Sequence, residues 1–257
     1  MKKKYLSLTL LMVLMTIGAT AQTRYVDAIY TDAQIEVTSD LDYATNIDFL
    51  RSKTSNQMNV GRDITEIKTA LAMSQPIPIK FFNADTTVDL KVTTIKMDVY
   101  KPLSSEDATT DRPVIVFIHT GNFLPPPLNG SPLGIKTDSS AIVLCTEWAK
   151  RGYVAVSVDY RLGWNPLAEK ADDRRGQLLN AVYRAIHDVK VAVRTLKDNA
   201  TTYGIDPNKV VLYGEGTGAY VALAYETLDK NEEMELTKFR IGGTGNSYIN
   251  RPIVGEI

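Results

Sequence analysis

The chain has few of the residues that support thiol, imidazole or metal chemistry. A single cysteine, Cys145, and only two histidines, His119 and His187, occur among 257 residues. One thiol excludes an intramolecular disulfide and any cysteine-built zinc or iron–sulfur site. Excess charge of either sign is also missing: 29 Lys+Arg stand against 30 Asp+Glu, a formal net charge of −1. No block of like charges offers a surface to a polyanion, so nucleic acid is not an expected partner. Internal repeats and heptads are absent. The longest apolar stretch lies near the N-terminus and falls short of the roughly 20 residues that span a bilayer. What remains is ordinary: 44% hydrophobic and 23% charged positions, enough to bury the core of one domain, with or without a small appendage.

The first segment reads as a secretory signal peptide. Lys2, Lys3 and Lys4 form a positive n-region, residues 6–17 an apolar h-region, and Ala19-Thr20-Ala21 a small-x-small cleavage site. The mature chain is expected to begin at Gln22, secreted or periplasmic, with no membrane span after cleavage. No cysteine follows the h-region to carry a lipid. Residues 22–74 form an N-terminal extension without chemical signal, in which 24–30 and 34–37 read as short strands and 64–73 as a short helix.

The domain proper is expected over 75–257. Ile77, Ile79 and Phe81 alternate with other residues and read as a short strand that Pro78 confines to a sheet edge. Ile95, Met97 and Val99 alternate with Lys96, Asp98 and Tyr100, the pattern of an antiparallel edge strand with one wet face. Residues 114–118, 154–158 and 210–213 are nearly unbroken apolar runs, as in strands covered on both faces. Between the first two, Ile142, Cys145 and Trp148 mark one helical stripe. Leu178, Val182, Ile186, Val189, Val193 and Leu196 mark a second, and Val221, Ala224 and Leu228 a third. Strand, helix, strand, helix, strand, helix implies right-handed βαβ units. The fold class is therefore α/β, a mostly parallel sheet with helices on both faces and antiparallel strands at its N-terminal edge.

Ligands of such sheets bind beyond the carboxyl ends of the strands. There the chain reads His119-Thr120-Gly121-Asn122-Phe123, Asp159-Tyr160-Arg161-Leu162-Gly163 and Gly214-Glu215-Gly216-Thr217-Gly218. These segments resemble the α/β-hydrolase fold, and within it the carboxylesterase and lipase-like families, over roughly residues 90–230. By that resemblance His119, Thr120, Gly121 and Asn122 form an HGGG-type oxyanion segment, and residues 214–218 a G-x-S-x-G nucleophile elbow.

The elbow is degenerate. Its nucleophile position is Gly216, which has no side chain to attack a carbonyl carbon. Thr217 is expected to turn its side chain away from the site while its N–H serves as an oxyanion donor. Glu215 reads as a packed or hydrogen-bonded elbow residue, so Thr217 and Glu215 are only possible substitutes for the nucleophile. His119 shapes the oxyanion segment and His187 lies on a helix beside Asp188. In the resembled fold the acid and histidine follow the nucleophile, and no histidine follows Gly216 here. The strands that carry them are also missing, so the chain reads as a C-terminally truncated fragment or a shortened relative, the fragment being the reading adopted.

Other features take structural readings. Asp159 and Arg161 brace loops, Asp172-Asp173-Arg174-Arg175 is a solvated helix approach, and Cys145 is a buried inert thiol. Residues 124–139, rich in proline and glycine, are either a stiff lid or a passive loop. Gly242-Gly243-x-Gly245 follows no strand and is a weak phosphate-loop signal. No cofactor or metal motif is present. The expected function is a secreted carboxylesterase-like protein, catalytically impaired, holding a small ester, acyl or carbohydrate-like ligand. The alternatives are an active ester hydrolase whose acid and histidine lie beyond Ile257, and a non-catalytic surface binding or scaffold module. Oligomeric state leaves no readable trace.

Overall fold

The computed structural model describes residues 23–49, 60–83, 87–167 and 169–228, apart from 125 and 127, together with 230. The leader expected at 1–21 and the glycine-rich stretch at 242–245 lie outside these residues.

β-Branched runs build the centre of the sheet, because such side chains suit a pleated surface covered on both faces. β3 (Arg112–Ile118) and β4 (Val154–Val158) pair in parallel, Val114 opposite Val154 through Ile118 opposite Val158. β5 (Ile205–Gly214) lies parallel on the other side of β3. β2 (Leu90–Pro102) runs antiparallel to β4, and β1 (Ile35–Phe49) antiparallel to β2. The order β1-β2-β4-β3-β5 gives three parallel strands with two antiparallel ones at the N-terminal edge, as the sequence pattern implies.

The helices are α1 (Val60–Ala72), α2 (Ile79–Phe82), α3 (Ser139–Lys150), α4 (Ala171–Asp198), α5 (Ala200–Tyr203) and α6 (Thr217–Thr227). The two-residue pleat sends Val114, Val116, Val154, Val156 and Val158 to one face, where Ala181, Ala185, Val189, Ala192 and Leu196 of α4 cover them. Phe117, Ala155 and Tyr100 point to the other face and meet Ala141, Cys145 and Ala149 of α3. Helices on both faces are thus a consequence of strands that are apolar on both faces over 114–118 and, Ser157 apart, over 154–158.

Several local expectations fail, each for a physical reason. Residues 24–30 form a turn, not a strand, because the Tyr25 and Ile29 N–H groups bond the Arg151 and Lys150 carbonyls at the end of α3. The strand expected at 34–37 is the beginning of the much longer β1, so the sheet draws on both sides of residue 75. At 77–82 Pro78 precedes a short helix instead of sitting in an edge strand, and Phe81 is buried with Ile67, Val88 and Leu90. β2 is not an edge, since β1 covers its outer side, and residues 97–100 are all buried. The buried stripe of α3 is Ala141, Cys145 and Ala149, which leaves Ile142 43% exposed. β5 is open on one face, where Val211 is 51% exposed. Leu228 lies just past the end of α6.

Two buried ion pairs tie the loop after β4 to α4 and β1. Arg161 places its guanidinium on Asp188, with Nη2 2.7 Å from Oδ1, and donates to the Ile47 carbonyl at 2.6 Å. Arg184 contacts Asp48 and the Gly163 carbonyl, both at 2.6 Å. Removing one partner leaves an uncompensated buried charge. Asp188→Ala is therefore expected to lower unfolding free energy by about 3 kcal/mol or more, read as a shift of the urea midpoint. A loss of less than about 1 kcal/mol would show that Arg161 finds other acceptors.

Candidate functional site

The carboxyl ends of β3, β4 and β5 carry the three segments singled out in the sequence, and the fold brings all three into contact. β5 ends at Gly214, and α6 begins after Gly216, whose backbone at φ 53° and ψ −118° makes the sharp strand-to-helix turn. Glycine enters this region freely, whereas an L side chain there is strained. No side chain caps α6; the Gly218 and Ala219 N–H groups at its start donate instead to the Glu215 and Gly216 carbonyls of the turn, at 2.8 and 3.1 Å. The loop after β3 is also unusual: Gly121 is at φ 117°, followed by Asn122 and Phe123 at 55° and 56°. A Cβ at 121 would stand 2.8 Å from Gly134 Cα, so only glycine allows the two ends of the proline-rich loop to close on each other.

That loop is held at its base. The Gly134 N–H donates to both Asp138 carboxylate oxygens, at 3.0 and 2.8 Å, and the Leu124 N–H donates to the Gly121 carbonyl at 2.8 Å.

His119 is fully buried and stacks on Tyr160, ring centroids 4.2 Å apart. Its Nδ1 lies 2.6 Å from the Thr120 carbonyl, and because a carbonyl can only accept, Nδ1 carries the proton. Nε2 is then a bare acceptor without a hydrogen-bond partner among the described residues, 3.9 Å from Asp159 Oδ1. Burial lowers the His119 pKa to about 4, which keeps the ring neutral. Burial raises the Asp159 pKa, against the Lys136 N–H that donates to its carboxylate at 2.8 Å. The Tyr160 hydroxyl donates to the His119 carbonyl at 2.8 Å. His119 is thus a packed strut of the loop, as the sequence implied. His187 stacks on Tyr183 of the same helix, centroids 6.3 Å apart.

Glu215 keeps its structural reading: its Oε2 accepts the Ser140 hydroxyl at 2.7 Å, and its N–H donates to the Ile118 carbonyl at 3.1 Å. Thr217 does not behave as expected. Its side chain turns into the site, where Oγ1 accepts the Asn122 N–H at 3.1 Å and also interacts with the Tyr160 hydroxyl. The reason is the tight start of α6, which lays residue 217 against the loop after β3. The Trp164 indole N–H donates to the Asn122 carbonyl at 2.9 Å, so both backbone groups of Asn122 are engaged. Thr120 also meets the turn, its hydroxyl beside the α-carbon of Gly216. Sequence reasoning placed Tyr160 only as a neighbour of Arg161 and missed its role in joining His119 to Thr217. Its position directly after β4 was the available signal.

The site therefore has three hydroxyls, on Thr120, Thr217 and Tyr160, and a helix N-terminus, around a turn with no side chain at its apex. The one Tyr160 proton goes to the His119 carbonyl, and Thr217 Oγ1 faces the Asn122 N–H and the Tyr160 hydroxyl, so the Thr120 hydroxyl is the donor best placed for a carbonyl or carboxyl oxygen. Among the described residues, no group of His, Cys, Asp and Glu is placed to hold a metal ion. Cys145 is buried and its pKa is raised by that burial, which suppresses the thiolate.

Sheet, helices and turn together are those of the α/β-hydrolase class, of carboxylesterase and lipase type. The family model described as BD-FAE matches residues 97–249, more than half of the 257 residues, and the chain belongs to that family. The chain is similar to the neuroligin-like protein glit-1 of Caenorhabditis elegans, 32% identical over 128 residues, covering 48% of this chain and 14% of that protein. It is 29% identical over 182 residues to Secreted lipase 5 of Gibberella zeae, covering 67% of this chain and 30% of the lipase. The chain thus spans less than a third of the length of either relative. Among solved structures, the propionate-bound esterase 2 of Thermogutta terrifontis shares 28% identity, with 51% of this chain and 40% of that one covered and a TM-score of 0.37.

The His119 environment generates a pH prediction. Its folded pKa of about 4 lies below the ordinary histidine value of about 6.5, so the unfolded chain takes up the proton first. The contribution is complete above about pH 6.5 and is lost as pH falls toward 4, on the order of 3 kcal/mol. Asp159 titrates with the opposite sign, because its folded pKa is raised. Urea midpoints of wild type and His119→Gln measured from pH 7 to pH 4.5 separate the two: the wild type should lose stability more steeply. Parallel curves would mean that His119 is hydrated in the folded state.

Proposed function

We propose that this is an exported α/β-hydrolase-fold protein that binds a small carboxylic ester or acyl group and hydrolyses it slowly or not at all. The observation that carries this reading is Gly216. The strand-to-helix turn has the backbone of a nucleophile elbow, yet no side chain at its apex. Catalysis of acyl transfer needs a nucleophile and a base within hydrogen-bond reach. Neither described histidine supplies the base: His119 is buried, neutral and turned to the Thr120 carbonyl, and His187 stacks on Tyr183. The Thr120 hydroxyl at the turn, with Thr217 beside it, supports binding of a carbonyl oxygen without a covalent step, with Gly121 and Asn122 shaping the loop opposite. The descriptions of several relatives as lipases or esterases support an ester as ligand. Export rests on the leader and cleavage site at 1–21, and no described helix is long and apolar enough to cross a membrane.

A second reading, an active hydrolase using Thr217, is favoured by one observation: the Thr217 hydroxyl faces the loop after β3. Purified protein should release p-nitrophenol from p-nitrophenyl butyrate no faster than buffer, remain unlabelled by a fluorophosphonate, and still show ethyl butyrate binding by ligand-detected NMR. Stoichiometric labelling at Thr217 would establish the second reading instead. No detectable ester binding would leave the scaffold role.

A further inference from the structure

We infer that Thr120 plugs the nucleophile position and is the residue that restricts this site to intact ligands, an inference that rests on the ester-binding reading above. An ideal Cβ on residue 216 would overlap the Thr120 hydroxyl outright and stand 3.0 Å from Thr120 Cβ. Real Cβ atoms do not approach so closely, so a side chain at 216 and the Thr120 side chain in its present rotamer exclude one another. The two positions are therefore a matched pair. Glycine stands where the G-x-S-x-G pattern has its serine, and threonine stands in the HGGG-type segment where that pattern has glycine.

The plug is held in place. Thr120 is β-branched, which restricts χ1. Its carbonyl accepts the His119 Nδ1–H at 2.6 Å, with the Tyr160 hydroxyl 3.5 Å away. Those contacts fix the backbone from which the side chain projects, so Thr120 Cβ cannot withdraw without disturbing a fully buried ring, and only rotation about χ1 moves the hydroxyl. Across the turn, Thr217 is fixed by the Asn122 N–H, which prevents α6 from shifting away. A carbonyl compound entering the site meets the Thr120 hydroxyl where a nucleophile would otherwise point. It can accept or donate a hydrogen bond there, but no tetrahedral adduct can form on residue 216. The ligand class that fits is an intact carboxylic ester or carboxylic acid.

The test is a thermal double-mutant cycle on the full chain: wild type, Thr120→Gly, Gly216→Ser, and both together. Gly216→Ser alone should lower Tm by about 4 °C or more, as expected for overpacking of this kind in a protein of this size. In the Thr120→Gly background the same substitution should lower Tm by less than half as much. If Gly216→Ser does not accumulate as folded protein, recovery of folded yield in the double variant is the supporting result. Equal shifts in both backgrounds, or failure of both serine-bearing chains to fold, would overturn the plug, because strain at φ 53° would then account for the whole loss. The cycle reads steric coupling independently of any ligand. A coupled cycle with no ester binding by wild type therefore removes the proposed function and leaves the plug standing.

Discussion

The carbonyl oxygens at the end of β3 lie against the α-carbon of Gly218. A Cβ there would overlap the Ile118 oxygen and come within 2.6 Å of the His119 oxygen, and one on Gly214 would come within 2.5 Å of Ala219 Cα. The first turn of α6 can start directly beside β3 only because both positions are glycine. Every feature of the site depends on that approach. It puts the Glu215 N–H on the Ile118 carbonyl, Thr217 on Asn122, and Gly216 under Thr120. The elbow geometry thus belongs to the packing of helix on strand and does not need a nucleophile to maintain it.

The loops at the other side of the site depend on charge instead. Arg161 and Arg184 are nearly inaccessible, and each sets its guanidinium between a carboxylate and a backbone carbonyl. Pairs of this kind gain little over an apolar substitute but strongly penalise any arrangement that breaks them. They fix the segment after β4 in one position, and with it Tyr160, whose ring carries His119 on one side. Buried polar contacts specify the loop here, while the apolar faces of β3 and β4 supply most of the driving force.

The parts of this architecture legible in the sequence were those set by local pattern. Apolar runs at 114–118 and 154–158 announced central strands, and glycines at 214, 216 and 218 marked the turn. Failures arose where tertiary contacts override pattern. Residues 24–30 read as a strand, but the Tyr25, Ile29 and Tyr30 N–H groups go to carbonyls at the end of α3. Pro78, expected to mark an edge strand, begins a helical turn. On α3 the fully buried residues are Ala141, Cys145 and Ala149, with Leu144 and Trp148 packed at their edge, while Ile142 turns outward. At the site the fold could be anticipated but the direction of Thr217 could not. A one-residue offset at a helix start decides it, and that offset is fixed by contacts with a loop distant in sequence.

Substitution of an elbow serine by glycine alone relieves backbone strain and leaves a gap beside an exposed turn, which water would fill. Thr120 changes that outcome. It occupies the gap with a branched side chain whose hydroxyl keeps a polar group in the same place. Neither residue has this effect separately. Gly216 under a glycine at 120 would be a hole, and Thr120 over a serine at 216 would be a collision. The chemistry of the site is therefore a property of the pair, across the gap between the β3 loop and the β5–α6 turn, and it is the close packing of Gly218 on β3 that brings the two together.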